Sequence, residues 1–303
     1  MSPSGDGAVW RPRRIIYFGT PAMAVPVLDA LVAAGFEVVG VVTRVDKRRG
    51  RGSELTPSPV KQAALRHGLT VVHSVDDALV VAAERGAELG VVVAFGQLIK
   101  PHALAALAMV NLHFSLLPRW RGAAPVERAL LAGDETTGVC LMQLDEGLDT
   151  GPVHACVRVP ITPIDTGSTL RERLISAGTD LLIEQLTHGL GTPQQQSGDS
   201  TYAAKLTPDD LRLDWAQPAL QRDRVVRLGG AFTTLRGKRL KVLQAELCEP
   251  HAVGAELVGD TVGGLRLVIV QPEGKPPLPF AAFVNGARLA PTEVLGAATE
   301  AIG

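Results

Sequence analysis

The first apolar run, Ile15-Ile16-Tyr17-Phe18, stops at Gly19-Thr20-Pro21. Apolar residues then recur at helical spacing (Val27, Leu28, Leu31, Val32), Gly35 ends that period, and Val38-Val39-Gly40-Val41-Val42 is again apolar throughout. Strand, helix and strand within about thirty residues predict a βαβ unit. The alternation continues with a helix over 59–67, a strand at 70–72, a helix over 76–87, a strand over 89–95, a short helix over 101–107 and a strand over 109–113. Strands apolar on every position are buried on both faces, so the pattern predicts an α/β domain with a doubly wound, mostly parallel sheet. After Pro125 a helix to Ala132, a strand over 139–144 and a strand pair over 151–159 are expected. A long helix N-capped by Ser168 follows, with Leu170, Leu174, Leu181, Leu182 and Leu186 on its apolar face and Gly189 at its end. Residues 191–200 have linker composition, and beyond about residue 205 the short, turn-rich segments predict a small β-barrel of OB-like type. The expected organisation is a flexible arm (1–13), the α/β domain (14–190), a linker (191–205) and the β-barrel domain (206–303).

Composition removes several classes. The chain has 303 residues, 46% hydrophobic and 20% charged, which excludes disorder as a whole. No apolar run approaches the ~18 residues of a membrane span, and residues 1–14 hold no apolar signal core, so neither a membrane protein nor a secreted one is expected. Cys140, Cys156 and Cys248 are far apart and odd in number. They are expected to form neither a disulfide framework nor a zinc cluster, as suits a reducing cytoplasm. The net charge of −1 excludes a globally basic nucleic-acid binder and leaves room for local patches.

Ligands of an open parallel sheet bind beyond the carboxyl ends of its strands. The exit at Gly19-Thr20-Pro21 has one glycine of the dinucleotide pattern, and Pro21 removes an N–H, so nicotinamide chemistry is not expected there. The exit after Met109 is dense in polar groups. Asn111 and His113 stand two apart on a strand and leave the same face. An amide that steadies a developing oxyanion and an imidazole that moves protons suit addition to a carbonyl. The next loop, Leu144-Asp145-Glu146-Gly147-Leu148-Asp149-Thr150-Gly151, offers Asp149 as a partner for the imidazole. Singly, these residues also read as a strand-ending Asn, a core His and a turn Asp; together at neighbouring exits they point to an active site.

The run Asn111-Leu112-His113-Phe114-Ser115-Leu116-Leu117-Pro118, followed by Leu148-Asp149-Thr150-Gly151, resembles the N10-formyltetrahydrofolate-dependent formyltransferases. Further blocks are similar to the branch of that family acting on methionyl-tRNA: Phe18-Gly19-Thr20-Pro21, Gly50-Arg51-Gly52, Pro57-Ser58-Pro59-Val60-Lys61, Val93-Ala94-Phe95-Gly96, Pro118-Arg119-Trp120-Arg121-Gly122-Ala123-Ala124-Pro125 and Thr201-Tyr202-Ala203 with Lys205-Leu206. The resemblance implies a formyltransferase catalytic domain and a tRNA-binding C-terminal domain. It implies attack of the amino group of methionyl initiator tRNA on the formyl carbon of 10-formyltetrahydrofolate, a tetrahedral adduct, and tetrahydrofolate as product. Asn111, His113 and Asp149 would carry catalysis without a metal. Ser115, Leu116, Leu117 and Pro118 would line the folate site, with backbone around Phe95, Gly96, Gln97 and Leu98 and the Asp145, Glu146, Gly147 turn.

Two basic clusters fit the implied RNA. Arg44 to Arg51 holds five cations (Lys47, Arg48, Arg49 and Arg51 among them) against Asp46, in what reads as a mobile loop. Arg222, Arg224, Arg227, Arg236, Lys238, Arg239 and Lys241 form the second. One departure is Leu228 to Thr234, shorter than the Pro- and aromatic-containing segment usual in the family. The expectation is a cytoplasmic, monomeric enzyme. The alternatives are a formyltransferase for a nucleotide-sugar amine or glycinamide ribonucleotide, with no use for the basic loop, and a non-catalytic RNA-binding relative.

Overall fold

A computed structural model of the chain describes residues 9–48, 55–249, 256–290 and 293–296. Among these described residues, seven strands form the N-terminal sheet. Five run parallel: β1 (Arg14–Gly19), β2 (Glu37–Val42), then, after the hairpin of β3 (Lys47–Arg48) and β4 (Leu55–Thr56), β5 (Val71–Val72), β6 (Leu89–Val93) and β7 (Met109–His113). Beyond β8 (Arg121–Gly122), the strands β9 (Thr136–Gln143) and β10 (Val153–Pro160) extend the sheet antiparallel, in the order β10-β9-β7-β6-β1-β2-β5. The chain moves outward from β1 to β5 and returns to the other side of β1. That reversal between β1 and β6 opens a crevice at their carboxyl ends.

The crossovers are the expected helices: α1 (Val25–Ala33), α2 (Pro59–Arg66), α3 (Val75–Arg85) and α4 (Pro101–Ala106). Ser58 and Ser74 cap α2 and α3, each side-chain oxygen accepting an N–H three residues on. Because β1 is central, its residues are buried on both faces: Ile16 and Phe18 pack with α3 and α4 residues Ala78, Ala82 and Ala103, while Ile15 and Tyr17 are also fully buried. After α5 (Pro125–Ala132) and β10 comes α6 (Gly167–His188), whose five predicted leucines are all buried.

Several expectations change. Thr166, not Ser168, caps α6: it and Thr169 exchange side-chain–backbone hydrogen bonds at 2.8 and 3.2 Å. The predicted strand pair over 151–159 is the single strand β10. Residues 9–13 are tied down, Trp10 bridging Leu190 and the Arg13 N–H meeting the Glu88 carboxylate at 2.7 Å; residues 1–8 of the expected arm lie outside the described residues. Cys140 and Cys156, expected as separate thiols, form a disulfide. They stand directly opposite across β9 and β10, a register that spacing along the chain does not reveal.

The chain divides into two compact units, residues 1–125, 136–160 and 171–203, and residues 126–135, 161–170 and 204–303. The change at 203/204 falls in the expected linker, but α5 and 161–170 also belong to the second unit. Long-range polar contacts there explain this. Arg128 grips Asp210 with two nitrogens (2.6 and 3.1 Å), Gln221 donates to the Leu131 carbonyl at 3.1 Å, and Arg227 donates to the Asp165 carbonyl at 3.0 Å.

The second unit follows β11 (Tyr202–Ala203) and contains α7 (Ala219–Leu228), β12 (Phe232–Leu235), β13 (Lys238–Leu247), β14 (Leu257–Val258), β15 (Thr261–Val262), β16 (Leu265–Pro272), β17 (Leu278–Pro279) and α8 (Phe280–Ala287). Its antiparallel sheet runs β12-β13-β16-β15-β14, with β17 on β16. Trp215, Val226, Val242, Leu267 and Phe280 fill its core. The short 228–234 segment packs well: Gly229 and Gly230 take φ of 86° and 89°, turning α7 straight into β12, and Ala231 is fully buried.

The Arg128 guanidinium and the Thr207 N–H hold the Asp210 carboxyl down to about 2. A lowered folded-state pKa contributes stability that is complete above the unfolded value near 3.8 and lost as pH falls through about 2. Asp210→Asn is therefore expected to lower the urea midpoint at pH 7 and to lower it much less near pH 2, read by denaturation at both pH values.

Candidate active site

Strand β7 delivers the first two site residues. Asn111 pairs in register with Val92 and Met142, and His113 with Cys140, so both side chains leave one face at the carboxyl end of the sheet. His113 is only 4% exposed. Its Nε2 lies 2.9 Å from the Trp120 carbonyl; a carbonyl only accepts, so this nitrogen carries a hydrogen. Its Nδ1 faces Asp149 Oδ2 at 3.5 Å, an ion pair when the ring is protonated. The ring thus lies between two acceptors, and its doubly protonated form serves both. Asp149 Oδ2 also accepts the Gly122 N–H at 2.8 Å. The half-buried Asn111 carboxamide has no hydrogen-bond partner among the described residues, which leaves its donors for a ligand.

The expected folate-lining residues divide. Gly96, Gln97 and Leu98 are exposed, Leu98 at 83%, as are Asp145, Glu146 and Gly147. Asp145 folds its own loop, accepting from the Gly147 N–H (3.0 Å) and the Thr150 hydroxyl (2.7 Å). Phe95 is a core residue stacked edge-on against Phe18, so only its backbone faces the exit. Ser115 is fully buried and donates to the Arg119 carbonyl at 2.5 Å. It shapes the turn through Leu116, Leu117 and Pro118, which are half-buried.

Sequence reasoning missed four residues that set this geometry. Trp120 supplies the carbonyl that holds His113, Gly122 the N–H that holds Asp149, and Gln196 and Thr201 contact the backbone of the same loops. The Trp120 and Thr201 blocks stood out in the sequence, but nothing in their spacing joins residues about 80 positions apart. Backbone geometry does mark the place. Among the described residues five non-glycines have positive φ, and Ala94 (47°), Trp120 (61°) and Asp149 (52°) are at strand exits.

The cationic candidates are also sorted. Lys47 and Arg48 sit in the β3–β4 hairpin, exposed; Arg49 and Arg51 lie outside the described residues. In the second cluster Arg222 is 4% exposed and donates to the Trp215 and Gln217 carbonyls, so it is structural. Arg227 pairs with Asp223, and Arg236 with Glu293 at 2.7 Å. Lys238, Arg239 and Lys241 are exposed, Arg239 lying 3.6 Å over the Phe232 ring. Among the described residues, no group of three or more His, Cys, Asp or Glu is placed to hold a metal, and no helix is long and apolar enough to cross a membrane.

Residues 13–186 match the formyl transferase family, and residues 205–288 match the formyl transferase C-terminal domain. The chain belongs to the formyl transferase family. The methionyl-tRNA formyltransferase of Halorhodospira halophila is 45% identical over 305 residues, covering 92% of this chain and 98% of that protein. That of Paenarthrobacter aurescens is 44% identical, covering 90% and 96%. Among solved structures, HypX from Aquifex aeolicus in complex with tetrahydrofolic acid shares the fold (TM-score 0.63, 16% identity) over 90% of this chain, which spans about half of it (47%). The Helicobacter canadensis N-formyltransferase does so with a TM-score of 0.62 at 16% identity, over 86% of this chain and 99% of that one.

In this formyl transferase Gly122 leaves no room for a side chain. Its φ is 115°, and a Cβ there would stand 2.9 Å from the Ala203 carbonyl oxygen. Gly122→Ala is expected to shift the N–H that holds Asp149 and to lower kcat at least about tenfold, with folate affinity, read by fluorescence titration, nearly unchanged.

Proposed function

We propose that this chain transfers the formyl group of 10-formyltetrahydrofolate to the α-amino group of methionyl initiator tRNA, releasing tetrahydrofolate. The observation that carries the reading is the His113–Asp149 pair beside the unpartnered Asn111 amide, in a chain 44–45% identical over at least nine-tenths of its length to methionyl-tRNA formyltransferases. The residues present suit the folate. Leu98 and Leu148 are 83% and 61% exposed at the strand exits, apolar surface that a flat ring would cover. Gly96 to Leu98, Leu116 to Pro118 and Asp145 to Gly147 would hold it. The co-substrate supplies a formyl carbon already activated by its anilide-like nitrogen.

The chain's own groups supply positioning and charge. The Asn111 NH2 donates to the formyl oxygen as negative charge develops there. The His113 ring, fixed between the Trp120 carbonyl and the Asp149 carboxylate, lends its N–H dipole to the same charge. The proton lost by the attacking amine passes to N10 of the departing tetrahydrofolate. Both His113 ring nitrogens are engaged, so a relay of that proton through His113 requires the ring to exchange the Trp120 carbonyl for the substrate. Asp149 orients the ring and carries the compensating charge. Lys47, Arg48, Arg49 and Arg51, with Lys238, Arg239 and Lys241, meet the phosphates of the acceptor end. The basic groups favour this substrate over a nucleotide-sugar amine or glycinamide ribonucleotide. We place the enzyme in the cytoplasm, acting as a monomer; there the compartment's potential decides whether Cys140 and Cys156 are bonded.

Incubation with 10-formyltetrahydrofolate and charged initiator tRNA is expected to yield formylmethionyl-tRNA; no product would overturn the assignment. Asn111→Ala and Asp149→Asn should each lower kcat at least about a hundredfold while folate affinity holds, and near-normal turnover would remove those residues from the mechanism. Neutralising Lys47, Arg48, Arg49 and Arg51 should weaken tRNA binding and flatten its salt dependence, as fewer counterions are released. An unchanged salt slope would make that segment an ordinary solvated surface.

A further inference from the structure

The segment expected as a linker is bonded to the catalytic loops at their two most constrained points. Trp120 and Asp149 hold left-handed backbone without being glycine (φ of 61° and 52°), a conformation that persists only where surroundings impose it. The Trp120 N–H donates to Thr201 Oγ1 at 2.9 Å. The Asp149 carbonyl accepts from Gln196 Nε2 at 2.8 Å, and the same amide group donates to the Gly151 carbonyl at 2.8 Å. Gln196 Oε1 in turn accepts from Arg121 Nε and Nη2 at 3.1 and 2.6 Å. One carboxamide thus makes four hydrogen bonds, its full capacity, and joins the loop after β7 to the loop after β9.

The backbone reinforces this. β11 pairs in parallel with β8, the Arg121 N–H donates to the Thr201 carbonyl at 2.9 Å, and Gln194 bridges Val153. Neither Gln196 nor Thr201 touches His113. Each contacts the residue that does: Thr201 holds Trp120, whose carbonyl takes the His113 Nε2–H, and Gln196 holds Asp149, whose carboxylate faces Nδ1.

We propose that Gln196 and Thr201 are positioning residues for formyl transfer, fixing from residues 194–203 the two acceptors that bracket the catalytic imidazole. The proposal rests on the formyl-transfer reading of the His113–Asp149 pair. Because the proposed folate-lining residues are not bonded to either side chain, loosening this strap moves the imidazole and leaves folate binding in place. A misplacement of about 1 Å costs on the order of a hundredfold in rate, so loss of either anchor should lower kcat at least about tenfold.

The test uses the full chain with Thr201→Val, Thr201→Ser, Gln196→Glu and Gln196→Ala. Thr201→Val keeps shape and removes the hydroxyl; Gln196→Glu keeps an acceptor for Arg121 and removes both donors. Thr201→Val and both Gln196 variants should lose at least about tenfold in kcat, with folate KM within about twofold, while Thr201→Ser restores turnover. NMR of the histidine side chains should show the His113 ring N–H protected in the parent and exchanging in Thr201→Val. Parent-like kcat in Thr201→Val and Gln196→Glu overturns the proposal, and so does a Thr201→Ser variant as slow as Thr201→Val. A parent that formylates no methionyl-tRNA overturns the functional assignment instead; the ring signal then decides alone, and a protected N–H in Thr201→Val ends the proposal.

Discussion

A nearly buried imidazole ring held between a backbone carbonyl at 2.9 Å and a carboxylate oxygen at 3.5 Å is the arrangement on which the site depends. Neither acceptor lies on the strand that carries the ring. The carbonyl belongs to Trp120, seven residues beyond β7, and the carboxylate to Asp149, in the loop between β9 and β10. Bringing both to one side chain requires two loops to turn back over the sheet. The left-handed residues accomplish those turns, and the Gly122 N–H ties one loop to the other. The parallel sheet beneath is a platform whose register sets the position of the ring.

Much of that platform was legible in the chain. Ile15 to Phe18, Val38 to Val42 and Leu89 to Val93 are apolar at every position because helices cover both faces, and such runs announce buried parallel strands. Asn111 and His113 were legible for a related reason: polar groups at the end of an apolar strand cost free energy unless they bond to something. What stayed hidden depends on separation along the chain. Gln196 is 75 residues from Arg121 and 47 from Asp149, and glutamines beside serine and glycine look like spacer. The pairing of Cys140 with Cys156 depends on strand register, which composition does not contain. The membership of α5 in the second unit rests on Arg128, Leu131 and their distant partners, and helical period is blind to it.

The arginines show how far a count of cations differs from available charge. Seven basic residues between 222 and 241 read as one patch. Folding buries Arg222 beneath its carbonyl acceptors and pairs Arg227 and Arg236 with carboxylates. The charge left uncompensated belongs to Arg224, bonded to the neutral Gln221 amide, and to Lys238, Arg239 and Lys241 along one strand, with Phe232 alongside as a flat partner for Arg239. An electrostatic reading of a sequence therefore improves once each cation is matched with the groups that fold against it.

The two edges of the N-terminal sheet have a consequence for life in a crowded solution. An open edge offers unpaired amides to any other extended chain, and strand exchange and fibrous association begin there. One edge here, β5, has only two residues. The other, β10, is longer: Gln194 crosses it at Val153, and Pro160, which has no N–H to donate, ends it. Of the two edges, β5 gives an incoming strand little ladder to extend, and on β10 the stretch from His154 to Val159 is where any such recruitment would have to begin.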